Sequence, residues 1–531
     1  MNFFRRGGVC ITSLLHVVLA ASCAIGSGAI AQGTLSAAAV LVDTTAGQIE
    51  GARAGDVALF RGLPYAKPPV GELRWQPPET AVPWAGVRQA KAFGKACPQD
   101  RSVSIDQAGD PGPTSEDCLF LNVWTPLADA GAGAKLPVMV WIHGGAFVIG
   151  AGSQSLYDGT ALAKRGAIVV TFNYRLGALG FFSHPALDRA TPNGAVNFGL
   201  LDQIAALRWV QANIAAFGGD PKNVTVFGES AGAQSVLALF ASPLTSGLFQ
   251  RGIAQSAYGI PSHARAKAQA AGVGVASAAG LGGAEATALQ LRAIPADRFL
   301  ELAKGKLSLS PSLVVGDAVL PEPILTAFQR GREAKLPLII GSNSDEASVA
   351  VAFGVDPAAL MKRLGAARVA IKPLYPGQND EAALGREVVT DVVFSAYARR
   401  IAYLHSTRAP TWRYFFSRVA DNLRPQLASG VPHGGEIAAV FDLGDGCGCL
   451  GAPLTEADRA ASRRIADYWV AFARDGIPAA HDAPAWPRDG RQRAQTLEFG
   501  ADGVVPRADF RKRRLDTFIG TLNVIGLFSG R

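Results

Sequence analysis

Val224-Thr225-Val226-Phe227-Gly228-Glu229-Ser230-Ala231-Gly232-Ala233 is the stretch on which the fold turns. The apolar, β-branched run predicts a buried strand over 224–227, and Ala233 to Leu239 continues as a helix. Between them stands Gly-x-Ser-x-Gly. A hydroxyl is a poor nucleophile unless a strained, exposed turn holds it beside a base, and glycines two positions to either side let strand and helix approach closely enough to form that turn. Ser230 is therefore the candidate nucleophile. A small-residue turn serving packing alone would give no reason for a hydroxyl at its tip.

Working outward, Pro137 to Ile142 is apolar on both faces, as a central strand of a parallel sheet is, and Ala167 to Phe172 is a second such run. Leu156 to Arg165 reads as a short helix between them. From Asp202 to Phe217, Ile204, Leu207, Val210 and Ile214 recur at helical spacing before a Gly218-Gly219-Asp220-Pro221 stop. Pro337 to Gly341 and Trp412 to Phe416 supply later strands, and Ala264 to Ala288 is helical or loop insertion material. This alternation specifies an α/β fold with a doubly wound, mostly parallel sheet and helices on both faces. Pro and Gly keep Pro64 to Gly71 out of regular structure.

The 531 residues are 49% hydrophobic and 18% charged, which excludes disorder, collagen and coiled coil. The formal charge of +8 is spread thinly. Its densest run, Arg511-Lys512-Arg513-Arg514, reads as a solvated helix face, and the absence of interleaved aromatics argues against nucleic acid as a partner. Arg5 and Arg6, an uncharged apolar stretch from Val9 to Ala21, and Ala29-Ile30-Ala31 describe a secretory signal peptide over residues 1–31. An uncleaved anchor and lipidation at Cys23 stay open as rivals. The expectation is export to a periplasmic or secreted destination, with residues 32–531 as one catalytic domain and no stable membrane insertion of the mature chain. Of the 6 cysteines, Cys10 and Cys23 leave with the leader. Cys97 with Cys118 closes a loop of ordinary length and is the favoured disulfide, while Cys447 and Cys449 either pair locally or stay reduced. Without clustered histidines, no zinc site is expected.

Acyl transfer also needs donors for an oxyanion. Ala231 offers one N–H at a helix start, and His143-Gly144-Gly145-Ala146-Phe147 follows the strand ending at Ile142, where a Gly-rich loop is required. In such folds the order is Ser, acid, His, so the base is His263, His405, His433 or His481. His433 lies in the flexible segment Gly430-Val431-Pro432-His433-Gly434-Gly435-Glu436, suited to an imidazole reaching over a sheet. His405 falls in a helix over Tyr397 to Thr407, where a packing role fits better. Gly341-Ser342-Asn343-Ser344-Asp345-Glu346 puts two carboxylates at a strand's C-terminal end, and periodicity does not choose between Asp345 and Glu346. Glu229, beside the nucleophile, either tunes the site electrostatically or serves the structure.

These residues together resemble the type-B carboxylesterases, which include the cholinesterases and bacterial p-nitrobenzyl esterases. The likeness runs through Gly62-Leu63-Pro64-Tyr65-Ala66, Glu116-Asp117-Cys118-Leu119, the His143 loop, Asn173-Tyr174-Arg175, Asn197-Phe198-Gly199, the Ser230 pentapeptide, Asp345-Glu346, His433 with Glu436, and Tyr468-Trp469. The resemblance implies an α/β-hydrolase fold and a Ser230–Glu346–His433 triad working through an acyl-enzyme. It implies oxyanion donors at Gly145, Ala146 and Ala231 with Gly144 shaping the loop, the Cys97–Cys118 disulfide, and no metal or organic cofactor. The expected substrate is a small to medium carboxylic ester, the alternatives a lipase or a specialised esterase for bulky or polyanionic esters, or a catalytically silent binding protein. Ala347 and Ala257 stand where the family often has Gly; neither change removes a catalytic group, and the serine that non-catalytic adhesion relatives lose is present.

Overall fold

The computed structural model describes residues 36–129, 133–190, 194–303, 313–365, 367–447 and 453–528. The proposed leader and Cys449 lie outside them. The strands in chain order are β1 Ser36–Thr44, β2 Gly47–Ala54, β3 Val57–Pro64, β4 Val87–Gln89, β5 Phe120–Pro126, β6 Leu136–Ile142, β7 Ile168–Phe172 and β8 Gly219–Glu229. They continue as β9 Arg251–Gln255, β10 His263–Ala264, β11 Val314–Val315, β12 Leu338–Asn343, β13 Thr411–Phe416, β14 Gln495–Gly500 and β15 Gly503–Ala508. Except for the separate β10–β11 pair, they form a 13-stranded sheet in the order β1-β2-β3-β5-β7-β6-β8-β9-β12-β13-β14-β15, with β4 paired to β2. The centre, from β7 to β14, is parallel, and the two flanks are antiparallel except for β4, which joins β2 in parallel.

Side-chain alternation along the strands builds two cores. Val138, Val140 and Ile142 of β6, Val224 and Val226 of β8, and Leu338 and Ile340 of β12 face the helices Phe198–Asn213 and Ala231–Ala241. Met139, Trp141, Phe227 and Ile339 face the opposite layer, where helix Glu456–Asp475 contributes Ile465, Tyr468, Trp469 and Phe472. The sheet is therefore covered on both faces, the doubly wound arrangement that the apolar runs predicted. Among the described residues, no helix is long and apolar enough to cross a membrane.

Three local readings need correction. The helix expected from Asp202 begins at Phe198, because Asp202 does not start a helix but sits buried within one, pairing bidentately with Arg175 at 2.7 and 2.8 Å. The segment 156–165 is not one helix: a 3-10 turn over Ser155–Tyr157 precedes a helix over Thr160–Ala163. The basic run is only partly solvated. Arg511 and Arg514 reach Asp391, whose side chain is fully buried, at 3.2 and 2.9 Å, and the Arg511 guanidinium stacks over Phe415.

Candidate active site

The parallel register aligns the C-terminal ends of β6, β8, β9, β12 and β13, so the loops that follow them share one edge. Ile142 is level with Gly228, Glu229 with Gln255, Gly341 with Gln255, and Asn343 with Phe416.

Ser230 sits between β8 and helix Ala231–Ala241 with φ 55° and ψ −119°, a left-handed conformation that costs about 1–3 kcal/mol for a residue with a side chain. The flanking glycines are dictated by contact: a Cβ at Gly228 would lie 2.6 Å from the Ile142 carbonyl oxygen, and one at Gly232 only 1.9 Å from it. The Ser230 N–H donates to Gln255 O at 2.9 Å, and its side chain caps no helix N–H.

The loop after β6 passes directly beside this turn. A Cβ at Gly144 would meet Glu229 Oε2 at 2.6 Å and Ser230 Cβ at 3.2 Å. Gly145, Ala146 and Phe147 all have positive φ, and the Gly145 carbonyl accepts from Val148 and Ile149 at 2.9 and 3.1 Å. The N–H groups of Gly145 and Ala146 donate to nothing among the described residues. Ala231 contributes the first N–H of its helix, which has no acceptor within that helix. His143 supports the loop as a neutral ring. Burial lowers it to about 4, its Nδ1 donates to Gly144 O, and it stacks on Tyr174.

The Cys97–Cys118 disulfide is present and buttresses the same loop. Gln99, two residues beyond Cys97, both donates to Gly150 O and accepts from Gly150 N at 2.8 Å.

Across the edge, Glu346 is fully buried. Its Oε1 accepts from Asn343 N and from the Ser256 hydroxyl, each at 2.6 Å, and its Oε2 lies 2.5 Å from His433 Nδ1. Asp345 points elsewhere, into a bidentate pair with Arg386. The two carboxylates that the sequence left undivided are thus separated by their partners. His433 is anchored further by its own N–H, which donates to Ser348 Oγ at 2.8 Å, and by Phe394, whose ring packs against the imidazole. The other candidate histidines are remote: His405 is buried against Glu333 and Leu336 O, His263 lies in β10, and His481 is exposed beside Asp482.

His433 Nε2 does not hydrogen-bond to Ser230 in this structure. It faces Glu229 Oε1 at 3.1 Å. Burial is the largest influence on the imidazole and lowers it, but Glu229, Glu346 and Glu436 together outweigh that, and the ring is held well above the usual histidine range. Glu229 is raised as well, by burial first and then by the charges of Glu436 and Glu346.

Sequence reasoning did not assign Ser256, Gln255, Asn343 or Trp469 to the site. Ser256 carries a signal legible in sequence, since it directly follows the strand Arg251–Gln255; the structure adds that, like Ser230, it has a positive φ, here 57°. A largely apolar cavity of about 340 Å³ adjoins the His433 loop, lined by His433 itself and by Leu156, Phe416, Leu427 and Ile465 among others.

A parallel sheet wound on both faces, with a serine elbow after a central strand and a carboxylate-held imidazole on the same edge, defines the α/β-hydrolase class. Residues 38–517 match the carboxylesterase family, and the chain belongs to it. It is a carboxylesterase, an enzyme that hydrolyses carboxylic esters. It is 37% identical over 483 residues to fumonisin B1 esterase of Sphingopyxis macrogoltabida, covering 86% of each chain. To the para-nitrobenzyl esterase of Bacillus subtilis it is 37% identical over 500 residues, covering 90% of this chain and 98% of that one. A solved carboxylesterase from Geobacillus stearothermophilus superposes with a TM-score of 0.79 at 33% identity, covering 90% of this chain and 99% of that chain.

Proposed function

We propose that the enzyme works by two-step acyl transfer on small to medium carboxylic esters, with Ser230 as nucleophile, His433 as general base and then acid, and Glu346 orienting His433. Ser230 Oγ attacks the ester carbonyl as its proton passes to His433 Nε2. The tetrahedral oxyanion takes hydrogen bonds from the N–H groups of Gly145, Ala146 and Ala231, which have no other acceptor among the described residues. His433 returns the proton to the leaving alcohol and later activates the water that frees the acid. The observation that carries this reading is the 2.5 Å contact between Glu346 and His433 Nδ1, which leaves Nε2 as the working nitrogen. That nitrogen rests on Glu229, the neighbour of Ser230, and in unliganded sites the nucleophile–base bond is often long and tightens only when substrate binds.

Ser230→Ala should abolish turnover without lowering the thermal midpoint, and a serine-directed phosphonate should label the peptide bearing Ser230. Retained turnover refutes the mechanism. A second reading is a bulky or polyanionic ester, and the likeness to fumonisin B1 esterase makes fumonisin B1 a candidate substrate to test. A panel of short-chain, long-chain and polycarboxylate esters together with fumonisin B1 separates the two. The disulfide supports export after removal of residues 1–31, and the single large sheet supports one catalytic domain over 32–531. N-terminal sequencing of the cell-free and periplasmic fractions tests the export reading.

A further inference from the structure

Glu436 is fully buried, three residues beyond His433 at the start of helix Ile437–Val440. Its Oε1 accepts from Gln255 Nε2 at 3.0 Å, and its Oε2 accepts from Asn343 Nδ2. Both donor orientations are fixed from outside. The Trp469 indole N–H, which can only donate, points at Gln255 Oε1 at 3.0 Å, so the opposite end of that amide is its NH2. The Pro432 carbonyl, which can only accept, receives Asn343 Nδ2 at 3.0 Å, so this amide also turns NH2 toward Glu436. Glu436 is thereby met by a donor at each oxygen.

We infer that Glu436 is a positioning residue for the esterase reaction: as an acceptor at both oxygens it fastens the His433 loop to the ends of β9 and β12. Asn343 is the hub. Its side chain ties Glu436 to the carbonyl just before His433, while its backbone N–H holds Glu346 Oε1 at 2.6 Å. The base and its carboxylate partner are thus registered against one strand end. The proposed mechanism has no use for a second buried carboxylate next to Glu346, and such a group is costly to bury. Burial and the Glu346 charge raise Glu436, while the amides of Asn343 and Gln255 oppose the rise. Glutamine has the same shape and no charge, but it would set an NH2 against one of two NH2 groups. Only a carboxylate accepts on both sides.

The inference rests on His433 serving as the base. Glu436→Gln should lower kcat by roughly tenfold or more, toward the about 10²-fold that a 1 Å misplacement costs, with KM changed little. The exchanged pair Gln255→Glu/Glu436→Gln rebuilds every bond, keeping the direction of those from Trp469 and Asn343 and reversing the one between positions 255 and 436. Position 255 then accepts from Trp469 and from the introduced amide, whose oxygen accepts from Asn343. Coupled neighbours are non-additive in this way, and kcat should return to within about threefold of wild type. Wild-type kcat in Glu436→Gln overturns the inference. So does an exchanged pair that keeps the wild-type thermal midpoint but stays as slow as the single variant. If the single variant does not fold, the exchanged pair decides: folded and active supports the inference, unfolded overturns it. Labelling by a serine-directed phosphonate runs in parallel. Slower but complete labelling of Ser230 in Glu436→Gln is expected, whereas no Ser230 labelling in wild type brings down the triad itself, a distinct failure.

Discussion

Replacing Glu229 with Gln removes the carboxylate that lies 3.1 Å from His433 Nε2, the nitrogen proposed to take the Ser230 proton. At an effective dielectric of about 20, a full negative charge at that distance stabilises the imidazolium by about 5 kcal/mol. That is an upper bound, because burial raises Glu229 itself and leaves its carboxyl part-neutral near neutral pH. A neighbouring opposite charge usually moves a titration by about 1–3 units, and one to two units is the expected effect here. The sign follows from which form reacts. In the proposed mechanism His433 must be neutral to take the Ser230 proton, so kcat/KM should climb with pH through the histidine's value, and in wild type that climb is expected above the ordinary histidine position. Glu229→Gln should shift the acid limb downward by one to two units, giving roughly tenfold more of its own plateau activity per unit at a fixed pH below the wild-type limb.

The assay is initial-rate kcat/KM from about pH 5 to 10 with an uncharged p-nitrophenyl ester read at an isosbestic wavelength, each profile normalised to its alkaline plateau. A limb that stays put, or moves up, refutes the electrostatic reasoning. Stability supplies an independent check. Both groups are raised in the folded state, so the stability they contribute is present below their unfolded values and is lost as pH rises through the folded ones. Urea midpoints of Glu229→Gln should accordingly decline less steeply on the alkaline side than those of wild type.

Reducing the Cys97–Cys118 bond, or replacing both residues with Ala, frees a loop spanning a sequence separation of 21 and should cost about 3 kcal/mol in denaturant titration. Activity should fall with it, since Gln99 loses its fixed hold on Gly150. Gly144→Ala places a methyl 2.6 Å from the Glu229 carboxylate and 3.2 Å from Ser230 Cβ, so the donor loop must retreat and kcat should fall by about 10²–10³. Unchanged kcat would mean that the loop is not the oxyanion site. Glu346→Gln should cut kcat by about 10⁴, the loss that follows when the His partner no longer fixes the tautomer. Asp345→Asn, which disturbs only the pair with Arg386, should lower the thermal midpoint while leaving kcat within about tenfold. The opposite pattern would exchange the roles of the two carboxylates.

What the sequence discloses and what it withholds divide along a physical line. The elbow is legible because its signal is local: Gly-x-Ser-x-Gly stands between apolar runs that announce strand and helix, although the carbonyl to which Gly228 and Gly232 answer, Ile142 O, belongs to the adjacent strand. The donor loop is legible for the same reason, a run of small residues directly after a buried strand. Asp345 and Glu346 are not separable by pattern, because what separates them is Arg386 on one side and Ser256 and His433 on the other, residues distant in the chain. Asp202 looked like a helix start and Arg511 to Arg514 like a wet surface because the partners that bury them, Arg175 and Asp391, lie outside any window that periodicity inspects.

The polar residues that escape local reading share one geometry. Gln255, Asn343 and Glu346 stand at or just beyond the ends of neighbouring parallel strands, where register brings them level, and Glu436 meets them from the helix start that follows the His433 loop. Charge placement there follows from donor and acceptor direction, which no single segment records. Trp469, an indole from the opposite helix layer, sets the direction of the Gln255 amide, and that direction in turn requires a carboxylate beside the catalytic loop. A helix packed for hydrophobic reasons thus also selects the ionisable group three residues from His433, the proposed base. Stability and catalysis meet in that indole: Trp469→Phe keeps most of the apolar packing yet frees the Gln255 amide to turn, so kcat should fall further than the thermal midpoint alone would explain.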